Sequence, residues 1–195
     1  MSKNLPIIII LVLLLSGALI FIFSNKYRDK EQISSSEAEQ ISASETSEFH
    51  EQSEYISTKY GFSFNYPQDF TVAEFGEGED GDTIMVQKQG SKDAFQIFIS
   101  PFDEPGPLTK ERVLEDLPDM VIKNPEQRVL KNGAKALIFF SEEPSLGEIR
   151  EIWFIYPVSG ADSNGVHNGY LYQISTYKEL DSLVAKILET WKFQE

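Results

Sequence analysis

A hydrophobic run of nineteen residues without a charge extends from Leu5 to Phe23, near the start of the chain. At a rise of about 1.5 Å per residue, a helix of this length matches the roughly 30 Å hydrocarbon core of a bilayer. A cleaved signal peptide is the alternative, but its apolar region is usually only about 7 to 15 residues long and leads into small residues rather than Phe21 and Phe23. The pattern therefore predicts an uncleaved transmembrane helix, which with its basic flank occupies residues 1–30.

The charges around this run bear on its orientation. Lys26, Arg28 and Lys30 follow the run, whereas Lys3 precedes it. The positive-inside rule taken alone favours a cytoplasmic C-terminal side. A short N-terminal tail before one hydrophobic segment is, however, the usual layout of a signal anchor, and a Ser/Glu-rich tether is typical of exported domains. We therefore expect a single-pass protein of the cell membrane, of bacterial type, whose C-terminal domain is extracytoplasmic.

Residues 31–56 have a different composition, with seven glutamates and no lysine or arginine. Up to residue 54 their only sizeable apolar side chains are Ile33, Ile41 and Phe49. Such a segment buries too little apolar surface to offset the conformational entropy that ordering would cost. It is therefore predicted to be a disordered linker. The eight-residue spacing of the three apolar residues leaves a weak juxtamembrane helix as the alternative.

From residue 55 onward, apolar and polar residues alternate in short runs that turn residues separate. In the run 62–66 every second residue is aromatic, and Pro67 ends it. Alternation with a period of two places the apolar side chains on one face of a strand, so the pattern predicts antiparallel strands with one buried face. The predicted strands are 62–66, 70–75, 83–88, 95–100, 128–130, 135–141, 149–156 and 169–176.

Asparagine and glycine pairs mark two of the connections. Asn132 and Gly133 lie between two predicted strands and favour a type I′ hairpin turn, because both residue types tolerate positive φ. Asn164-Gly165 and Asn168-Gly169 indicate the loop that joins the last two strands.

Two helices are predicted among the strands. The first spans 109–117, with Thr109 as N-cap and Pro118 directly after it. The second closes the chain, and Thr176 and Glu179 are predicted to form its capping box. Its apolar residues recur at helical spacing, so this helix should pack on the sheet as an integral part of the fold. They are Leu180, Leu183, Val184, Ile187, Leu188 and Trp191.

Two segments carry a family resemblance. Residues 59–70, KYGFSFNYPQDF, and residues 187–193, ILETWKF, resemble the two signature motifs of the PsbP/Mog1-like family. Phe70 is a departure, because many relatives have a tryptophan after the proline. The resemblance covers roughly residues 57–195, and the named members of the family mostly bind or assemble rather than catalyse.

The resemblance implies a central antiparallel sheet with helices on both of its faces. We therefore predict an α+β protein in which an antiparallel β-sheet is flanked by helices, as an α/β/α sandwich. One N-terminal transmembrane helix and a disordered linker precede this domain. The predicted division is an anchor at 1–30, a linker at 31–56 and the PsbP/Mog1-like domain at 57–195.

Composition narrows the classes of partner and of chemistry. The chain carries 17 basic and 31 acidic residues, a net charge of −14, and has no cysteine. An acidic surface repels phosphate backbones, so nucleic acid is not expected as a partner. The lack of cysteine removes disulfides, thiol nucleophiles and cysteine-bound metals.

The acidic, glycine-rich loop at 74–82 is a candidate site of two kinds. Its glycines match the dinucleotide-binding spacing GxGxxG, but a strand is predicted after it instead of a helix, and its acids would repel phosphates. No nucleotide and no cofactor is therefore predicted. Glu79, Asp80 and Asp82 are weak candidate ligands for calcium, which prefers carboxylate oxygens. A solvated acidic hairpin loop is the alternative.

Other catalytic arrangements find little support in the sequence. His167 is the only histidine after residue 50, and it shares a glycine-rich loop with Asp162 and Ser163, which lacks the rigid support that a catalytic triad needs. Catalysis by two carboxylates needs acids about 5 to 10 Å apart, and sequence does not locate such a pair. The aromatic residues Trp153, Phe154, Tyr156, Tyr170 and Tyr172 form either core or a binding face.

We therefore expect a non-catalytic, membrane-tethered, extracytoplasmic binding or assembly module. The membrane contact is the run from Leu5 to Phe23, and the expected partner is another envelope protein. The acidic surface favours a basic partner. A cell-envelope enzyme that uses paired carboxylates is the alternative.

Overall fold

The computed structural model describes residues 51–76, 78, 81–104, 107–144, 146–156 and 169–194. The predicted anchor from Leu5 to Phe23 and nearly all of the predicted linker lie outside these ranges. Within them, no helix has both the length and the apolar character needed to cross a bilayer.

Strands dominate the described part of the chain. Its strands are β1 (Gln52–Ser57), β2 (Phe62–Pro67), β3 (Phe70–Gly76), β4 (Asp82–Lys88), β5 (Ala94–Phe102), β6 (Lys123–Val129), β7 (Lys135–Glu143), β8 (Gly147–Tyr156), β9 (Gly169–Tyr177) and β10 (Lys192–Phe193). Its helices are α1 (Lys110–Asp116) and α2 (Asp181–Thr190), and a 3₁₀ turn at Lys178–Leu180 leads into α2.

The strands form two antiparallel sheets. The large sheet has seven strands in the order β3-β4-β5-β9-β8-β7-β6, and the small sheet has the order β1-β2-β10. The small sheet joins the two ends of the described region, because Lys192 of β10 pairs with Ser63 of β2.

One face of the large sheet packs against the small sheet and α2. At the centre of this layer, the rings of Phe62 and Trp191 stack with their centroids 4.3 Å apart. Burying large aromatic side chains contributes several kcal/mol in total, at about 1.5 to 3 kcal/mol each. The buried residues of this main core include Tyr55, Phe64, Ile84, Phe95, Ile97, Ile152, Phe154, Tyr172, Ile174, Val184 and Ile187.

The other face of the large sheet packs against α1 and its flanking residues. Leu108, Val113 and Leu117 contact an apolar group on β7, β8 and β9 that includes Phe139 and Trp153. The hydroxyl of Thr109 accepts a hydrogen bond of 3.3 Å from the backbone N–H of Arg112, which confirms the predicted N-cap of this helix. The central strands are thus buried on both faces.

The predicted α/β/α sandwich is wrong. Only two short helices are present in the described ranges, of 7 and 10 residues, and most of the layer on the main-core face is a second β-sheet. The physical reason is that the hairpin of β1 and β2 supplies large aromatic side chains that cover the sheet where a helix was expected. The described fold is mostly β, with two antiparallel sheets.

The small sheet also starts earlier than the predicted domain boundary at residue 57. Strand β1 begins at Gln52, inside the segment assigned to the linker. Tyr55 is buried in this strand, and its ring lies 5.1 Å from that of Phe64. One well-placed aromatic residue thus anchors a stretch whose composition otherwise indicates disorder.

Two local predictions at turns and caps also fail. At the β6–β7 connection only Gly133 has positive φ, at 86°, and the N–H of Leu130 donates to Ala134 O, so the hairpin has a three-residue loop instead of a type I′ turn. The capping box of Thr176 and Glu179 does not form, because β9 continues to Tyr177 and the Thr176 hydroxyl donates to Ala94 O at 3.5 Å. Pairing with a distant strand outweighs the local helix signal.

The other predicted strands are confirmed with small changes of their ends. Strand 128–130 is the exception, because β6 spans Lys123–Val129. This edge strand is largely exposed and contains Pro125, so it lacks the alternating apolar pattern that identifies the rest.

A substitution of Gly81 tests the close packing of the backbone between β3 and β4, which we call the β3–β4 corner. It has a φ of 148°, and a Cβ there would collide with the carbonyl oxygen of Ile99 and lie 3.0 Å from the ring of Phe98. We expect Gly81→Ala to lower the free energy of unfolding by at least about 3 kcal/mol, because strained backbone and a steric clash add together. Urea denaturation of the purified chain measures this loss.

Gly90 is the matched control, because its φ is 71° but a Cβ there would have no atom within 4 Å. Gly90→Ala should cost only about 1 to 2 kcal/mol, the usual penalty for a left-handed residue. Equal losses at Gly81 and Gly90 would contradict the close packing described at this corner.

Candidate functional site

The acidic loop is the first site that the sequence singled out. Glu79 and Asp80 lie outside the described residues. Asp82, the third predicted calcium ligand, begins β4, where its Oδ2 accepts hydrogen bonds from Lys59 Nζ at 2.7 Å and from the Tyr60 hydroxyl at 2.8 Å. Burial acts to raise the pKa of Asp82, but the bonds from Lys59 and Tyr60 outweigh it and hold the pKa below its usual value.

The described residues contain no group of three or more His, Asp or Glu side chains that could hold a metal ion. Calcium binding by the acidic loop stays a prediction. In the GxGxxG segment, Gly76 ends β3 and β4 follows after Gly81, where a dinucleotide site needs a helix. Asp162, Ser163 and His167 lie outside the described residues.

An aromatic group at one end of the large sheet is the first site that the geometry brings together. We call Tyr60, Tyr156, Tyr170 and Phe193 the tyrosine surface, and all four side chains are half-buried. Tyr156 and Tyr170 face each other as the last register pair of β8 and β9. Phe193 stacks on Tyr156 with a centroid distance of 3.5 Å, and Tyr60 meets Tyr170 edge to face at 4.9 Å.

A fully buried layer supports these rings from below. Tyr172 and Phe154 stack 5.0 Å apart, and Phe62 meets Tyr172 edge to face at 5.7 Å. From the sequence alone, the aromatic residues of β8 and β9 could belong either to the core or to a binding face. Tyr172, Phe154 and Trp153 are core, and Trp153 lies on the opposite face of the sheet, whereas Tyr156 and Tyr170 reach solvent.

The hydroxyl of Tyr172 is unusual because it is a polar group in the apolar core. Its side chain is 0% exposed, and its hydroxyl is a buried polar atom without a hydrogen-bond partner in the described structure. Burial raises the pKa of this hydroxyl, and the neighbouring Tyr170 and Tyr156 add to the effect, so it stays protonated. An unpaired buried hydroxyl costs about 1 to 3 kcal/mol.

Tyr60 is held in place by Asp82, the first residue of β4. Its hydroxyl donates to Asp82, which in turn is neutralised by Lys59. Burial and the bond to Asp82 raise the pKa of Tyr60, so the hydroxyl acts as a neutral donor. The ion pair and the hydrogen bond to Asp82 therefore orient the Tyr60 ring beside Tyr170.

A second arrangement lies on the opposite face of the sheet, around Glu151. This carboxyl is 2% exposed. Its Oε1 accepts from the Ser141 hydroxyl at 2.8 Å, and its Oε2 accepts from Trp153 Nε1 at 3.0 Å and from the Ser175 hydroxyl at 2.6 Å. Burial raises the pKa of Glu151, and the three hydrogen bonds, from Ser175, Trp153 and Ser141, oppose this rise without cancelling it.

Sequence reasoning missed Glu151, although a signal was present. Ile149, Glu151 and Trp153 alternate on one face of β8, so the acid occupies an inward position between two apolar residues. The hydrogen-bond partners that the structure gives the carboxyl are two hydroxyls and an indole, all neutral donors. These three donors satisfy the hydrogen-bonding capacity of a single buried acid. The arrangement therefore differs from the pair of carboxylates that a glycosidase-type mechanism uses.

Comparisons with known proteins add little to these sites. No protein-family model and no curated protein matches the chain. Among solved structures, the fold is similar to the solution structure of cyanobacterial PsbP (CyanoP) from Synechocystis sp. PCC 6803, with a TM-score of 0.42 and 12% sequence identity over 78% of this chain and 98% of that chain. At this TM-score the similarity assigns neither a family nor a function, and membership of the PsbP/Mog1-like family stays a prediction.

Glu151 gives a test with a defined pH dependence. A folded-state pKa above the ordinary value means that the neutral carboxyl stabilises the fold below the unfolded pKa, and that this contribution is lost as pH rises through the folded pKa. Glu151→Gln removes the titration and can keep the network, with its oxygen accepting from Trp153 and Ser175 and its amide donating to Ser141. We therefore expect the stability of the variant relative to the native chain to increase from pH 4 to pH 8, measured by urea denaturation.

Glu151→Leu is the control for hydrogen bonding. It leaves three donors without an acceptor and should lose at least about 2 kcal/mol at every pH. A Glu151→Gln variant with the same pH profile as the native chain would show that the carboxyl does not titrate in this range.

Proposed function

We propose that this chain is a non-catalytic, membrane-tethered, extracytoplasmic binding or assembly module, and that the tyrosine surface is its binding site. One observation carries the proposal: four half-buried aromatic rings from separate parts of the chain come together at one end of the large sheet. A partner that covers these rings would gain apolar burial, and the tyrosine hydroxyls of the same surface offer polar contacts. Tyrosine is among the residues that contribute most to protein interfaces, because one ring offers both kinds of contact.

The partner we propose is an envelope protein with basic residues around an apolar centre. The net charge of −14 gives the chain a negative field that speeds association with a positive partner. The four side chains that define the binding surface are all aromatic, and Lys59 pairs with Asp82 beside Tyr60. The apolar centre would therefore provide affinity, and the surrounding charge would provide steering and salt dependence.

The tether supports a role close to the membrane. The apolar run from Leu5 to Phe23 has the length of a membrane span, and about twenty acidic and polar residues separate its basic flank from β1. A flexible coil of that length has an end-to-end distance of roughly 25 Å. The domain would then search a thin shell above the bilayer, where membrane-bound partners lie.

Membership of the PsbP/Mog1-like family is part of the proposal. The two segments that carry the resemblance, 59–70 and 187–193, are adjacent in the fold. Phe62 from the first stacks on Trp191 from the second, and Ser63 pairs with Lys192. Motifs that are distant in sequence and pack together are typical of a shared structural core, which supports the resemblance without implying a helical sandwich.

The tether and its orientation are tested by protease treatment of intact cells, or of spheroplasts where an outer envelope is present. We expect cleavage in the acidic segment before residue 51 and release of a stable fragment that starts near β1, because exposed polar chain is cut first. A cytoplasmic protein that stays uncut is the control. Protection of the domain until the membrane is broken would contradict the extracytoplasmic placement.

The binding surface is tested by photo-crosslinking. A photoreactive residue at Tyr170 or Tyr156 should give one discrete adduct with an envelope protein in intact cells, and mass spectrometry identifies that protein. Tyr66 is the matched control, because it is a half-buried tyrosine at the far end of β2. Adducts of the same kind and yield from Tyr66 would contradict the proposed surface.

With the partner purified, Tyr170→Ala should weaken binding by roughly tenfold or more, as expected for a central aromatic residue. Affinity for the native chain should fall as salt increases. An unchanged affinity of the Tyr170→Ala chain would place the binding site elsewhere.

A further inference from the structure

The two edges of the large sheet are built differently. At one edge, β6 contains Pro125, which has no N–H to offer, and its register with β7 shifts between Lys123 and Glu126. Asn124 has a positive φ of 48° at this irregularity. Proline, charged residues and bulges are the features by which sheets prevent pairing at an edge, so β6 is a protected edge.

Among the described residues, β3 forms the other edge, and it has neither a proline nor a bulge. Its seven residues pair with β4 in unbroken register, from Phe70 with Lys88 to Gly76 with Asp82. Its sequence, FTVAEFG, has no proline or basic residue, and Thr71, Ala73 and Glu74 are exposed. A long, regular and nearly uncharged edge strand is a template for another strand.

The hydrogen bonds to β4 identify which backbone groups of β3 point outward. The N–H of Gln89 donates to Asp69 O at 2.8 Å, which makes these two residues a hydrogen-bonded pair just before β3. Because such pairs alternate along an antiparallel ladder, Thr71 and Ala73 also point their backbone groups towards β4. The residues with outward N–H and C=O groups are therefore Phe70, Val72, Glu74 and Gly76.

We propose that β3 pairs with β3 of a second copy of this chain, antiparallel and centred on Ala73. In this register Val72 lies opposite Glu74 of the second copy, and Phe70 lies opposite Gly76. Each outward group of one strand then meets an outward group of the other, and no like charges are opposed. A register centred on Glu74 would place two carboxylates face to face, and one centred on Val72 would leave Gly76 beyond the end of its partner strand.

A second copy fits this edge because the strand pairs with itself over its full length of seven residues without placing like charges opposite each other. Edge pairing alone buries little surface, and the net charge of −14 opposes association in free solution. Holding both copies on one membrane would raise their effective concentration. The pairing involves different residues from the tyrosine surface, so it can fail while that binding site stands, but its membrane setting rests on the tether of the proposed function.

The absence of cysteine from the sequence allows a direct test. In the proposed register the two Ala73 residues form a non-hydrogen-bonded pair, with Cα atoms about 4.5 Å apart, a distance that a disulfide can bridge. The full chain with Ala73→Cys, in isolated membranes with a mild oxidant, should form a disulfide dimer at least about tenfold faster than the controls. The exposed position of Ala73 makes the substitution compatible with folding.

Thr71→Cys and Val129→Cys are the controls. Thr71 lies on the same exposed strand, but the two copies of residue 71 would be roughly 14 Å apart in the proposed register. Val129 is 64% exposed on the protected edge β6. Similar crosslinking rates at all three positions, or adducts of Ala73→Cys with other proteins only, would overturn the proposal.

A charge exchange gives a second measurement that needs no oxidant. Ala73→Lys alone and Ala73→Asp alone each place like charges opposite each other and should reduce dimer formation. Mixing the two variants in one membrane should restore a mixed dimer, which affinity tags on each chain detect. Failure of the mixture to pair better than either variant alone would overturn pairing about Ala73.

Discussion

The stacking of Phe62 on Trp191 is the contact on which the rest of the structure depends. Both rings are almost wholly buried, and they join β2 near one end of the domain to the last turn of α2 near the other. Two hydrogen bonds reinforce the closure: Gln194 N–H donates to Gly61 O at 2.7 Å, and Asn65 N–H donates to the Thr190 hydroxyl at 2.9 Å. Isolated hairpins and ten-residue helices are marginally stable in water. The small sheet and α2 therefore owe their stability to packing together on the large sheet, and this contact is the centre of that packing.

Coverage of both faces of the large sheet constrains every polar group that its central strands carry. An antiparallel sheet that is covered on both faces lacks the usual alternation of buried and exposed residues. A one-residue slip of a strand would move each of its side chains from one core to the other. Glu151 opposes such a slip, because Ser175 lies opposite it in register on β9 and Ser141 reaches it from β7. A shift of β7 or β9 against β8 would separate the carboxyl from the Ser141 or Ser175 hydroxyl, at a cost of about 1 to 3 kcal/mol for each lost partner. A buried acid that lowers stability at neutral pH can in this way specify the pairing of three strands.

Much of the fold follows from local pattern, and the failures share one cause. Short apolar-rich runs between turn residues identified most strands, although the central strands are buried on both faces instead of the predicted one. Thr109 was recognised as a cap because its role is local. Strand β1 was assigned to the linker because only Tyr55 anchors it. The capping box at Thr176 failed because Thr176 is paired with Phe95 of β5 and β9 continues to Tyr177. The helical sandwich was wrong for the same reason: whether a helix or a hairpin covers a sheet depends on tertiary contacts, which no window of sequence contains. Among the site residues, Tyr156 and Tyr170 were recognised in the sequence as aromatic residues of a possible binding face. Their contacts with Tyr60 and Phe193 depend on the tertiary fold, so the sequence did not predict them.

The assembly of the tyrosine surface links its binding capacity to that closure. Its four rings come from separate parts of the chain, and Phe193 belongs to a strand of only two residues. Local opening of so short a strand costs less than global unfolding, so the complete surface exists only while β10 stays paired with β2. A partner that binds only the closed form would stabilise it by mass action, and its apparent affinity would scale with the closed fraction. The contact between Phe62 and Trp191 thus determines both the stability of the fold and the availability of the proposed binding site, although neither ring need touch the partner.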